Sequence, residues 1–389
     1  MLKETEEKYM MHTYNRFNLV LEKGEGCYVY DDEGNKYLDM GSGIAVNSLG
    51  YHHPKLTTAL KAQLDQLIHT SNYYYTKPQV EAAKLLTKYS DLSKVFFCNS
   101  GAEANEGAIK LARKYGRLKS ETKTHIVSLM GGFHGRTYGA LTATPKIQYQ
   151  KDFMPMLPHF SHAKFNDIES LESCMSQDTC AVILEVIQGE GGILLADENF
   201  LKGAEKLCKV YDALLIIDEV QTGIGRTGSL FAYSQFGIKP DVVTTAKGLG
   251  SGLPIGAILC NEKANVFEPG NHGTTFGGNL LATTAAKVVL EELCEKNLMA
   301  HVQEVGHYLK EQLIKLQEKT DKIIEIRGMG LMIGVELTVP NKITLEACMK
   351  KGLLVIGAGE NVIRFLPPLV ITKEQVDEGI RILEEVLKD

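Results

Sequence analysis

The stretch from Ala213 to Pro254, ALLIIDEVQTGIGRTGSLFAYSQFGIKPDVVTTAKGLGSGLP, limits the choice of fold more than any other part of the chain. It holds two short apolar runs that end in opposite charges: ALLII runs into Asp218, and VVTTA, after Asp241, runs into Lys247. Runs this short, rich in β-branched residues and bounded by Gly and Pro, read as strands buried on both faces of a parallel sheet. In open α/β sheets ligands bind beyond the carboxyl ends of the strands, so a carboxylate and an amine are expected at one crevice. A Lys able to form a Schiff base and an Asp to pair a pyridinium nitrogen are what pyridoxal phosphate chemistry needs. A plainer reading stands beside it. Most Lys residues are solvated surface charges, and an Asp after a strand is often a helix cap or turn residue.

Bulk properties narrow the setting. At 389 residues the chain exceeds one ordinary core, and two domains are expected. A net charge of -6 without any basic block argues against nucleic acid as the main partner. The eight cysteines are scattered, with no CxxC pair and no Cys/His cluster of metal-ligand spacing. They read as reduced thiols rather than a disulfide frame or a zinc site, and no metal is expected. The charged N-terminus lacks an apolar signal region and no apolar run reaches membrane-spanning length, so the expectation is a soluble cytoplasmic protein with no membrane partner.

Along the chain, CYVY and KYLDM flank the turn-forming DDEGN and read as a β-hairpin over the entrance. The adjacent His52 and His53 lack helical metal-ligand spacing and read as structural. Strand-then-helix repeats begin at Lys94. KVFFC is a strand, and Ser100 with Glu103 forms a capping box that opens a helix through AIKLARKY. Gly101 allows close backbone approach, so this helix start is either a phosphate cradle or an ordinary capped end. The strand THIVSL opens into GGFHGRT, where Phe133 offers a flat face for a ring and Arg136 a planar fork for a carboxylate. CAVILE is a third strand, followed by Glu190 between glycines. After Asn279 two long helices, a Gly-punctuated strand IRGMGLMIGVEL, and the apolar pair GLLVIG and NVIRFLPPL read as a smaller α+β domain. Its last helix starts at Thr372 with Gln375 completing a second capping box.

Five successive strand ends thus deliver a capped anion-binding helix, an aromatic with an Arg, a Glu loop, an Asp and a Lys. In this order and spacing, NSGAEANEGAIKLARK, FHGRTYGAL, IQGEGG, IIDEVQTGIGRTG, AKGLGSGLPIGA, HGTTFGGN and IRFLPP resemble the class III (ω-amino acid) branch of fold-type I pyridoxal-phosphate-dependent aminotransferases. The resemblance covers nearly the whole chain. It implies an α/β fold: an N-terminal segment over residues 1–55, a large cofactor-binding domain with a mainly parallel sheet over 56–285, and a small α+β domain over 286–389.

Roles follow from the same resemblance. Lys247 would hold pyridoxal 5'-phosphate and shuttle the proton, and Asp218 would keep the pyridine nitrogen protonated. Ser100, Gly101 and Ala102 would bind the phosphate, Phe133 would stack on the ring, and Val220 and Gln221 would lie beneath it and contact its oxygen. Thr275 would reach the phosphate from the partner subunit, which implies a homodimer with shared active sites. Arg136 would clamp the donor's carboxylate, and Arg364 a carboxylate of 2-oxoglutarate once released by Glu190; Thr274 and Tyr14 are further candidates for the donor site. Gly43 stands where relatives acting on free ornithine carry a Tyr, which leaves space for an acyl group. The expected donor is therefore N2-acetyl-L-ornithine. Succinylornithine, succinyl-diaminopimelate, ornithine, 4-aminobutyrate and an aminomutase reaction remain open.

Overall fold

The computed structural model describes residues 2–388. Seven strands form the main sheet in the order Lys94–Cys98, Gly256–Cys260, Val242–Thr245, Leu214–Asp218, Thr179–Leu184, His125–Leu129 and Phe160–Ala163. Gly256–Cys260 is antiparallel to both its neighbours, and every other pairing is parallel. Two reversals cancel, so Lys94–Cys98 points the same way as the parallel strands. The chain therefore leaves at Ser100 on the edge where Asp218 and Lys247 emerge.

The apolar runs are continuous because both faces are covered. Leu214 and Ile216 pack with Ala104, Ala108 and Leu111 of the helix Gly101–Arg117. Leu215 and Ile217 face the other way, in the cluster holding Ala204 and Cys208 of the helix Glu198–Val210. Truncating one such side chain, as in Ile216→Ala, costs about 2–5 kcal/mol. The edge strand Phe160–Ala163 carries no apolar run, and its sequence FSHA hides it from a hydrophobicity reading.

The expected hairpin forms from Tyr28–Asp31 and Lys36–Asp39. It also recruits Leu21–Glu25 and, in parallel, Leu353–Leu354, which ties the first residues to the C-terminal region. The stretch IRGMGLMIGVEL is two strands rather than one. Ile323–Met329 turns back on Met332–Leu337, and Gly330, at φ +54, supplies the left-handed turn conformation. These two strands join Val362–Phe365 and Ile356–Ala358 in a second four-stranded sheet. The last helix, Lys373–Lys388, is capped as the sequence suggests: Gln375 N–H donates to Thr372 Oγ1 (3.3 Å) and Thr372 N–H to Gln375 Oε1 (3.0 Å). Among the described residues no helix is long and apolar enough to cross a membrane. All eight cysteines are free thiols.

Candidate active site

The carboxyl edge of the main sheet opens into a cavity of about 420 Å³. Asp218 and Lys247 both line it. Asp218 is 3% exposed, and its carboxylate is held by three donors. Oδ2 accepts from Asn105 Nδ2 and from His134 Nδ1, each at 2.8 Å, and Oδ1 accepts from the Val220 N–H at 2.9 Å. Thr244 Oγ1 donates to Asn105 Oδ1 (2.7 Å), which turns the amide nitrogen toward Asp218. Burial works against a charged imidazole at His134, but the hydrogen bond and charge of Asp218 outweigh it and raise its pKa above the ordinary histidine value. His134 Nε2 is buried without a partner.

Lys247 sits at φ +46, a left-handed conformation that costs a non-glycine residue strain and is typical of functional positions. Its ammonium makes no hydrogen bond or ion pair with any described residue. Burial first, and then the Arg364 charge, lower its pKa from the ordinary lysine value, against the pull of Glu190, Asp218 and Glu185. The amine is thus biased toward its neutral, nucleophilic form.

The positive end of the helix Gly101–Arg117 faces the same cavity, with Ser100, Gly101 and Ala102 in its wall. Ser100 Oγ accepts from the Glu103 N–H at 3.1 Å. The return half of the capping box differs from the sequence expectation: Glu103 Oε2 takes the Asn99 N–H and Asn99 Nδ2, both at 2.8 Å, rather than the Ser100 N–H. First-turn N–H groups have no partner within a helix, so those of Gly101 and Ala102 suit an anion. A Cβ at Gly101 would lie 2.6 Å from Val220 Cγ1, which reserves this position for glycine. An anion-binding helix end, a carboxylate fixed by three donors and an unpaired amine, all on one cavity, form the donor set that pyridoxal phosphate requires. Among the described residues no group of three or more His, Cys, Asp or Glu is placed to hold a metal.

Phe133, Arg136, Val220 and Gln221 complete the wall. Glu185 lies at the same level, accepting the Phe133 N–H at 2.9 Å; burial pushes its carboxyl up to about 7. Arg364 is buried, and its Nη1 donates to Glu190 Oε1 (2.7 Å) and Gln221 Oε1 (2.8 Å). Burial would raise the Glu190 carboxyl, yet the Arg364 charge prevails and lowers its pKa. Arg136 is exposed, and its guanidinium carbon lies 3.4 Å from the centre of the Tyr149 ring.

Three sequence candidates lie elsewhere. Thr274 Oγ1 accepts from Asn99 Nδ2 (3.1 Å) just behind the cavity wall. Thr275 lines a different cavity, of about 890 Å³, with Ser71, Asn72 and His272. Tyr14 is 69% exposed, beside Arg16. Conversely, Asn105, Glu185 and Tyr149 have no assignment from the sequence; each reaches the site through tertiary contacts that no local pattern marks. The FHG motif contains His134, and nothing local in it marks the link to Asp218.

The sequence matches the family described as Aminotransferase class-III over residues 9–387. It is 51% identical over 387 residues to the acetylornithine aminotransferase of Caldanaerobacter subterraneus, covering 99% of this chain and 98% of that one. With the acetylornithine aminotransferase of Aquifex aeolicus it shares 50% identity over 381 residues, 97% of this chain and 100% of the relative. Among solved structures, the N-acetylornithine aminotransferase of Stenotrophomonas maltophilia superposes with a TM-score of 0.86 at 38% identity, covering 99% of this chain and 98% of that one. The ornithine aminotransferase of Toxoplasma gondii superposes at 0.95 with 30% identity, covering 100% and 94%. The chain belongs to the class III aminotransferases, a family of pyridoxal-phosphate-dependent enzymes.

Proposed function

We propose that this enzyme moves the terminal amino group of N2-acetyl-L-ornithine to 2-oxoglutarate, giving N-acetyl-L-glutamate 5-semialdehyde and L-glutamate, as a cytoplasmic step of arginine biosynthesis. The observation that carries the reaction type is the unpaired Lys247 amine facing one cavity with the buried Asp218 carboxylate. The donor rests on the full-length relatives named acetylornithine aminotransferase and on Gly43. Gly43 holds φ +63, a conformation that strains any larger residue, and its missing side chain would leave space for an acyl group.

When bound, pyridoxal phosphate supplies the aldehyde carbon that receives the amino group and a ring that withdraws electrons from the carbon losing its proton. Lys247 would hold the aldehyde as its nucleophile and carry the proton as base, a role its lowered pKa suits. Asp218 keeps a proton on the pyridine nitrogen, and Asn105 and His134 hold Asp218 in place. The N–H groups at Ser100, Gly101 and Ala102 bind the phosphate. Phe133, Val220 and Gln221, which line the same cavity, would hold the ring. Thr275 would reach the phosphate from a second copy of the chain, which would make the working unit a homodimer.

Arg136 grips the donor's carboxylate. Glu190 neutralises Arg364 while the donor is bound. When 2-oxoglutarate enters, its carboxylate displaces Glu190, and one pocket serves two unlike substrates in turn. Comparing kcat/KM for N2-acetyl-L-ornithine, ornithine and 4-aminobutyrate, each with and without 2-oxoglutarate, tests the assignment. Preference for the acetylated donor with strict dependence on 2-oxoglutarate supports it. Preference for free ornithine, or turnover without the acceptor, contradicts it.

A further inference from the structure

Arg136 is an exposed cation on a glycine-flanked loop, with no hydrogen bond or ion pair to any described residue. Such a side chain loses rotamer freedom when it grips a ligand, unless something already holds it. Tyr149 is the group that holds it. The Arg136 guanidinium carbon is 3.4 Å from the Tyr149 ring centre, within stacking distance, and 5.8 Å from that of Phe133. Phe133 meets Tyr149 edge-on, with ring centres 6.4 Å apart and planes at 87°. Stacking uses the flat face of a guanidinium and leaves its N–H edge unused, so the fork stays available for a carboxylate.

The two parts of this platform are fixed to each other. The His134 N–H, two residues before Arg136, donates to Thr144 Oγ1 at 2.8 Å. Beside Tyr149, the buried Gln150 side chain donates to Leu141 O (3.0 Å) and Thr144 O (2.9 Å). Loop and ring thus share Thr144 as an anchor. The Tyr149 hydroxyl makes no hydrogen bond with any described residue, so the ring face alone carries the contact.

We infer that Tyr149 is a positioning residue for recognition of the donor's carboxylate, its ring presetting the Arg136 fork over the cavity. The inference rests on the reading of Arg136 given under Proposed function. It separates carboxylated from uncarboxylated donors: N2-acetyl-L-ornithine needs the preset fork, and N-acetylputrescine, the same molecule without the carboxylate, does not.

The test measures kcat and KM of the holoenzyme for both donors in Tyr149→Phe, Tyr149→Leu and Arg136→Met, together with calorimetric binding of the unreactive analogue N2-acetyl-L-norvaline, which lacks the terminal amine. Removing a cation–π platform weakens the contact by about two- to fivefold at an exposed site and about thirtyfold where the pair is desolvated. For Tyr149→Leu the expected result is a loss of about tenfold in kcat/KM for N2-acetyl-L-ornithine, carried by KM, and a matching loss of affinity for the analogue. Turnover of N-acetylputrescine should stay within about twofold, and Tyr149→Phe should restore every value. Equal losses on both donors, or no loss of analogue affinity in Tyr149→Leu, would overturn the inference. If Arg136→Met discriminates between the donors and Tyr149→Leu does not, the Tyr149 role alone fails. If neither discriminates, the reading of Arg136 fails with it.

Discussion

Asp218 and Lys247 leave adjacent parallel strands and face one cavity without pairing with each other. Asp218 is in register with Thr244, and Lys247 follows that strand's last residue, Thr245, after Ala246. The charge of Asp218 is answered by Asn105 and His134 instead. A structural ion pair would have consumed both groups; this arrangement leaves the amine free and the carboxylate fixed.

The Asp218 network makes the first prediction. Asp218→Asn removes the charge while keeping the shape, so the variant should still take up cofactor. Its kcat for amino transfer should fall by about 10²–10⁴, the range that a positioned proton partner contributes. Stopped-flow or steady-state assays on cofactor-saturated protein read this; an unchanged kcat would remove Asp218 from the proton at the ring nitrogen.

Glu190 is expected to act in only one half of the reaction. Glu190→Gln leaves the buried Arg364 guanidinium without its counter-charge when the monocarboxylate donor is bound. The donor half-reaction should lose about ten- to 150-fold in kcat/KM, the range of the ~1.5–3 kcal/mol typical of a hydrogen bond to a charged group. The half-reaction with 2-oxoglutarate should hold or improve. Separate single-turnover assays of each half check this, and equal losses in both would contradict the exchange of Glu190 for substrate.

Stability should depend on pH through Glu219, the neighbour of Asp218. Glu219 is buried, accepting from Thr222 Oγ1 (2.6 Å) and the Tyr233 N–H (2.8 Å), and burial raises its carboxyl from 4.5 to about 7. A folded-state value above the unfolded one favours the protonated form, so its contribution is whole below pH 4.5 and lost as pH rises through about 7. A shift of that size corresponds to up to about 3 kcal/mol. Glu219→Gln has no proton to lose. Its Tm should exceed that of the parent by several degrees at pH 8 and match it or fall below it at pH 4.5. A Tm difference independent of pH would refute the assignment.

Assembly gives a fourth expectation. Thr275 sits outside the Lys247 cavity of its own chain, in line with a contribution to a second copy. Sedimentation should give the mass of two chains, and Thr275→Glu, which sets a carboxylate against the phosphate, should weaken cofactor retention at least about tenfold while the dimer persists. A monomer with full activity would contradict the shared site.

Much of this was legible in the sequence, for a physical reason. Strands buried on both faces are apolar throughout, so a charge where such a run ends stands out; that marks Asp218 and Lys247. The capped start at Ser100 is local and visible for the same reason. Asn105, Glu185 and Tyr149 are ordinary residues of helices, strand ends and turns, and only the fold brings the first two to the cavity and Tyr149 to Arg136. The hairpin around Gly330 was hidden because two apolar strands joined by a two-residue turn look like one interrupted strand. Thr275 lines a cavity apart from Lys247, and no local pattern links it to that site.

As proposed, Lys247 would carry a cofactor that exchanges amino groups between the two substrates. The most direct test is the visible absorbance spectrum of the purified cofactor-loaded enzyme. It should show a cofactor band that is lost on adding N2-acetyl-L-ornithine and returns on adding 2-oxoglutarate, and Lys247→Ala should show no such cycle. A band that ignores N2-acetyl-L-ornithine, or a Lys247→Ala protein that cycles like the parent, would contradict it.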